Sequence, residues 1–190
     1  MSFSLSGSVI TQSGTDTSLA GLVGIAGVTV LAGTKKTIYY LNASNLSLTV
    51  SGSLSIAATQ NEMLIFGASC AKRALLVSGA SAVLTVGADI AAAPPRPADG
   101  VHGVVMLFQR SDILAYEDQF LVTSGALLQW RSGDIEYHGR INISGTAAST
   151  GYIRNARMLP QANDASSQPG RLYVERAGFA VGPRVSFDGE

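Results

Sequence analysis

The chain has 190 residues, of which 14% are charged, and its 13 basic and 13 acidic side chains give a net charge of zero. This balance provides no electrostatic attraction for nucleic acid or for an anionic membrane, so we expect neither as a partner. Because 46% of the residues are apolar, the chain can bury the core of a single domain.

The N-terminal region has no basic residue ahead of an apolar stretch, so it does not resemble a secretory signal and favours synthesis and assembly inside a cell. Residues 17–34 carry no charge and approach the length of a membrane-spanning helix. They also contain four glycines and several Ser, Thr and Val residues. We therefore interpret this segment as buried β structure.

Apolar and small polar residues alternate with a period of two in segments such as 46–50, 54–56 and 141–143. Such alternation, with β-branched residues among the apolar positions, predicts short strands with one buried face. Leu48, Val50, Leu54 and Ile56 are the expected inward residues around the Ser51-Gly52 pair. The three- and four-residue spacing of helices is almost absent, so the sequence predicts an all-β fold.

Ser-Gly pairs recur between these segments, at Gly7, Gly52, Gly79, Gly125 and Gly145, with steps of 45, 27, 46 and 20 residues. Gly33 and Gly103 divide the two long steps and give an average of 23 residues per unit. A unit of two or three short strands with small residues at its corners is typical of one coil of a β-solenoid. We predict about six coils over residues 1–145, with an antiparallel sandwich or jelly roll as the alternative.

Two segments interrupt the pattern. Residues 91–100 contain three prolines, which remove ladder hydrogen bonds and predict a protruding loop. Residues 146–190 have three more prolines around one clear strand, 172–174, and are interpreted as an irregular C-terminal cap or arm. A short solenoid must also protect its open ends, and its weakly charged faces suit self-packing, so we expect a homo-oligomer, with a trimer favoured.

The densest set of chemically capable side chains lies in residues 131–140, where Asp134, Glu136 and His138 fall on one face of a predicted strand. Two carboxylates about 7 Å apart could serve an inverting glycosidase, and together with the histidine they could hold a divalent cation. Alternation also places them outward on an ordinary solvated strand, and we favour that interpretation. A groove would require Asp112 or Asp118 to stack beside Asp134.

The remaining candidates are weaker. Cys70 is the single cysteine, and a nucleophilic role would need His102 or His138 beside it. Asp89, Asp99 and Glu117 are scattered acids, and a small set of aromatic residues could stack on a sugar but is expected to pack internally: Tyr39, Tyr40, Trp130 and Tyr137. We therefore predict no catalytic residue, no metal site and no cofactor.

The Ser-Gly corners, the uncharged segment near the start and the helix-poor Gly/Ser/Thr/Ala texture of residues 1–145 resemble the β-solenoid structural proteins of tailed-phage virions. That group includes head decoration or cement proteins, head fibres and tail spikes. The resemblance implies a virion protein assembled in the host cytoplasm, and the small size favours a non-enzymatic capsid cement that binds the major capsid protein. A receptor- or carbohydrate-binding spike component and a small polysaccharide-active enzyme are the alternatives.

Overall fold

The structure, a computed structural model, is built almost entirely of short strands. It describes residues 2–57, 61–89, 105–113, 117–146 and 148–161, and the backbone of residues 171–175, 180–181 and 186–187. The strands are β1 (Phe3–Ser6), β2 (Val9–Gln12), β3 (Thr15–Asp16), β4 (Val28–Ala32), β5 (Thr37–Leu41), β6 (Ser47–Val50), β7 (Ser53–Ile56), β8 (Glu62–Phe66), β9 (Leu75–Ser78), β10 (Val83–Val86), β11 (Val105–Phe108), β12 (Phe120–Thr123), β13 (Leu127–Trp130), β14 (Gly133–His138), β15 (Arg140–Gly145), β16 (Thr150–Ile153), β17 (Ala156–Gln161), β18 (Arg171–Glu175), β19 (Ala180–Val181) and β20 (Ser186–Phe187), and a 3-10 helix spans Ala20–Leu22.

The strands form three sheets, and the chain visits them in the same order in every coil. The first sheet is β1-β2-β6-β9-β12-β15-β18, the second is β3-β7-β10-β13-β16-β19, and the third is β4-β5-β8-β11-β14-β17-β20. All described pairs are parallel except the hairpins β1–β2 and β4–β5. Parallel pairing between successive coils confirms the β-solenoid and excludes the antiparallel sandwich.

Inward-facing residues stack into columns because each strand pairs in register with its counterpart in the next coil. One column of the first sheet runs Ile10, Leu48, Leu75, Phe120 and Ile143, all of them buried. In the third sheet, the rings of Phe66 and Phe108 stack with centroids 4.9 Å apart. The four inward residues predicted around Gly52 are also buried, so the period-two interpretation is confirmed there.

Four of the five Ser-Gly pairs mark the same corner of successive coils, between the first and second sheets. The exception is Gly7, which lies in the β1–β2 hairpin, and the first coil has its corner at Ser13-Gly14 instead. Gly33 lies in the β4–β5 hairpin and does not begin a coil, so the prediction that it divides the 45-residue step between Gly7 and Gly52 was wrong. Gly103 lies outside the described residues. Coil lengths differ because loops of any length can leave a corner without disturbing strand pairing.

The predicted boundary at residue 145 does not end the solenoid. β16 and β17 pair in parallel with β13 and β14, and the backbones of β18, β19 and β20 add a strand to each sheet. The strands that the structure describes form six coils, which extend to Phe187 instead of ending at residue 145. Pro160 is accommodated in β17 for two reasons. The Gly133 N–H donates to the Asn155 C=O, so the odd-numbered residues of β17 bond to β14 and Pro160 faces the other side. On that side, β20 pairs only with Arg157 and Met158. The loop at 91–100 lies outside the described residues.

Residues 17–34 are only partly strand. Leu22, at the end of the 3-10 helix, and Leu19, which precedes the helix, are both fully buried in the core, and we call this segment the cap. A Cβ on Gly21 would lie 2.3 Å from the ring of Phe3, so this close packing requires glycine. The described parts of the chain contain no helix of the length and apolarity needed to cross a membrane.

Candidate functional site

The outer face of the third sheet carries the predicted acidic cluster at one end and apolar residues at the other. Met63, Val105 and Leu107 form a hydrophobic cluster of their own, separate from the core, with Ile38 and Ile65 packed against it. Register places Val105 beside Asp134 and Leu107 beside Glu136. We call this surface the third-sheet outer face: the outward residues of β5, β8, β11, β14 and β17.

Asp134 is held by an arginine from the next coil. Both Asp134 oxygens accept hydrogen bonds from Arg157, Oδ1 from Nε at 2.8 Å and Oδ2 from Nη2 at 2.6 Å. The two side chains are only 2% and 6% exposed. This bidentate pair is strongly directional, and Asp134 can neither accept a proton nor bind a cation without losing it. The expectation of a solvated Asp134 was therefore wrong, although its outward direction was right.

Glu136 lies two residues further along β14 and is half-buried. Burial raises its pKa, the charge of Asp134 raises it further, and Lys36, Arg157 and His138 act in the opposite direction. A carboxyl with a raised pKa is suited to donating a proton. The general-acid half of the glycosidase hypothesis therefore has a candidate, whereas Asp134, the proposed second carboxylate, is bound to Arg157.

The other predicted acids do not approach Asp134. Its register partners are Val105 and Arg157, so neither Asp112 nor Asp118 stacks beside it and the hypothetical groove is not formed. These acids bind neighbouring polar groups instead. The pairs are Asp112 with Arg110, Glu117 with Lys72, Asp118 with Arg73, Asn142 and Ser144, and Asp89 with Arg154, whereas Asp99 lies outside the described residues.

A buried carboxylate that the sequence reasoning missed joins the cap to the first coils. Glu62 accepts hydrogen bonds from the Leu19 N–H at 3.1 Å and from the Tyr39 hydroxyl at 3.3 Å. Burial raises the pKa of Glu62, and it raises that of Tyr39 to about 12 with help from the Glu62 charge. The signal was in the sequence, because Glu62 shares the inward parity of Leu64 and Phe66.

The aromatic residues and the cysteine are mostly internal. Tyr39, Trp130 and Tyr137 are buried, so they offer no sugar-stacking platform, and Tyr40 is half-buried. Burial raises the pKa of the Cys70 thiol to about 11, which opposes formation of a nucleophilic thiolate. Of the two possible histidine partners, His102 lies outside the described residues.

Within the described ranges, no group of three His, Cys, Asp or Glu side chains has the arrangement of a metal site. Comparisons with protein-family models, with curated proteins and with solved structures find no match to this chain.

The outer face of the second sheet carries uncharged side chains, as do the outward positions of β2, β6, β9 and β12 in the first sheet. Along the described strands β3, β7, β10, β13 and β16, its outward side chains are all uncharged: Thr15, Ser53, Ser55, Val83, Thr85, Leu127, Gln129, Thr150 and Tyr152. We call this surface the uncharged wall. The outward residues of β3, β7 and β10 are small, whereas β13 and β16 add larger side chains. The Arg131 guanidinium donates to Gln129 Oε1 at 3.2 Å, and the Arg154 guanidinium lies 4.3 Å from the centre of the Tyr152 ring.

Proposed function

We propose that the protein is a non-enzymatic structural component of a tailed-phage virion, a homotrimeric decoration or cement protein that binds the major capsid protein. The observation that carries the proposal is the uncharged wall, whose outward side chains on β3, β7 and β10 are small and polar or aliphatic. This part of the wall can be covered without desolvating a charged side chain of its own strands, and desolvation of charges is the costly step in burying a polar protein surface. The resemblance noted from the sequence supplies the virion context.

The mechanism would be mechanical. A solenoid that bridges neighbouring capsid subunits binds only the assembled shell, so its binding free energy adds to the stability of that state. Repetition by symmetry multiplies weak contacts into avidity. The parallel ladders and stacked columns make the bridge stiff.

The proposal is tested by adding the purified protein to shells of the corresponding phage that lack decoration. We expect co-sedimentation with the shells and a higher shell melting temperature. Ser55→Arg, which places a charge on the uncharged wall, should weaken binding, whereas Thr49→Arg is a matched control on the outer face of the first sheet. Failure of the native protein to associate with shells would refute the proposal.

The polysaccharide-active alternative depends on Glu136, whose raised pKa fits a general acid. A glycan panel tests this function and the carbohydrate-binding alternative together. Turnover that is lost in Glu136→Gln and kept in Glu117→Gln would establish the enzyme. Binding without turnover would instead favour a receptor-binding spike component.

A further inference from the structure

The edge of the third sheet at the N-terminal end is formed by β4. Its Val28–Ala32 strand pairs with β5 on one side, and none of the strands that the structure describes pairs with its other side. An edge strand presents unpaired backbone groups and is a template for another strand unless charge, proline or a covering element blocks it. β4 itself contains no charged residue and no proline.

The hydrogen-bond pattern shows which backbone groups point outward. Gly27 accepts from the Asn42 N–H, and the Gly33 N–H donates to Lys36. Because bonded positions alternate in an antiparallel pair, residues 27, 29, 31 and 33 face β5, and Val30 and Ala32 direct their N–H and C=O groups away from it. Val28 offers only its C=O, because its N–H donates to Ile25.

The surroundings of this edge are unusually apolar. Leu31 is 53% exposed on the outer side of β4, and Val23 is 59% exposed on the adjacent cap segment. The whole stretch 17–34 carries no charge. A large exposed apolar residue on an uncharged edge strand is an interaction surface or an aggregation hazard.

We propose that β4 pairs antiparallel with β4 of a second copy, about a two-fold axis that passes through Val30. Val30 then donates to and accepts from Val30 of the second copy, and each Ala32 N–H donates to the Val28 C=O across the axis. Each protomer thus supplies two donors and two acceptors, because its Val28 N–H is already bonded to the Ile25 C=O and does not donate to the Ala32 C=O of the second copy.

Charge placement also fits a second copy. The charged residues that follow β4 are Lys35 and Lys36, beyond its C-terminal end, so antiparallel pairing places those of the two copies at opposite ends of the contact. No like charges face each other over residues 17–34. The contact is independent of any three-fold packing: a monomer would become a dimer, and a trimer would become a hexamer.

The experiment measures mass by sedimentation equilibrium at several concentrations. Ala32→Pro removes the outward donor while keeping the bonds to β5, and Ala32 is exposed, so no packing is lost. Leu31→Lys adds a charge at the same edge. Val9→Lys is the matched control, because Val9 is an exposed apolar residue of the first coil that lies on β2, which has neighbours on both sides.

We expect the native protein to have an even multiple of the 19.6 kDa chain mass, and both edge variants to have half of it or to dissociate at least tenfold more readily. Val9→Lys should match the native protein, and the circular dichroism of all three variants should be native. A native odd multiple up to about 100 μM, or an unchanged mass in both folded edge variants, would overturn the proposal. Shell binding is measured separately, so its failure leaves this result intact.

Discussion

Replacing Gly52 by alanine is the sharpest test of coil stacking. Gly52 forms the corner between β6 and β7 and lies directly over Ser13-Gly14, the corner of the preceding coil. A Cβ at Gly52 would lie 2.2 Å from the Gly14 oxygen and 2.7 Å from the carbonyl carbon of Ser13. These are backbone atoms, so no side chain can rotate away to relieve the contact.

The cost follows from the bonds at this corner. Relief of the contact requires the two corners to separate by about 1 Å, which would break the 2.8 Å bonds from Ser53 N–H to Gly14 and from Ser51 N–H to Gln12. Two lost hydrogen bonds cost about 1–3 kcal/mol and overpacking costs about 1–3 kcal/mol. The lower conformational entropy of the unfolded alanine variant offsets about 0.4–1 kcal/mol of this destabilisation. We expect Gly52→Ala to lower the free energy of unfolding by about 1–5 kcal/mol.

The assay is urea unfolding followed by the fluorescence of Trp130, the single tryptophan, which is fully buried. Ser53→Asn is the control: its half-buried side chain points outward from β7, and we expect a change within about 0.5 kcal/mol. Gly52→Val should be worse than Gly52→Ala, because its larger side chain meets the same backbone.

A loss below about 1 kcal/mol in Gly52→Ala would refute the close stacking of the corners. Substitutions at Gly125, two coils further along, distinguish the effect of a close contact from the effect of backbone conformation. It has φ +79°, and a Cβ there would meet only Ala80 at 3.5 Å, an ordinary contact. Asparagine tolerates a positive φ, so Gly125→Asn should be more stable than Gly125→Ala, whereas Gly52→Asn should not improve on Gly52→Ala.

Three further predictions concern buried polar groups. Arg157→Met removes the bidentate partner of the buried Asp134 carboxylate and should cost about 3–5 kcal/mol. Asp134→Leu added to it should restore most of that stability in urea unfolding, and no recovery would contradict the pairing. Burial raises the Glu62 pKa above 4.5, so its contribution to stability is complete below that pH and is lost as pH rises through the folded pKa. In unfolding curves measured over a series of pH values, Glu62→Gln should remove this decrease in the free energy of unfolding. An unchanged dependence on pH would contradict the role of Glu62. Cys70, whose pKa is raised to about 11, should react with a thiol reagent at pH 8 only after unfolding, and rapid native labelling would disprove its burial.

Local alternation predicted the fold because a strand of a solenoid obeys the same period-two rule as any half-buried strand. The corners were also visible, since Ser51-Gly52 and its counterparts recur where small residues are required. The length of each coil could not be predicted from the sequence, because an insertion at a corner leaves the strands in register. Gly33 shows the difficulty: it lies in a hairpin turn, yet its spacing matched a corner.

The candidate site was predictable only in part for a related reason. The parity of β14 correctly directs Asp134 and Glu136 outward. The arginine that neutralises Asp134 comes from the next coil, 23 residues later, and finding it requires the register between coils. That register depends on loop lengths, which alternation along a single strand does not contain.

Ion pairs between neighbouring coils help to select one stacking register. Columns of interchangeable Val, Leu and Ile specify the inward direction well but tolerate a shift of two residues between coils, since such a shift restores the same parity. Directional pairs between coils remove that freedom. Lys72 and Glu117 precede the first-sheet strands of adjacent coils, and Asp134 and Arg157 are register partners on adjacent third-sheet strands. A chain with few charges that joins these side chains across coils thereby favours a single stacking register.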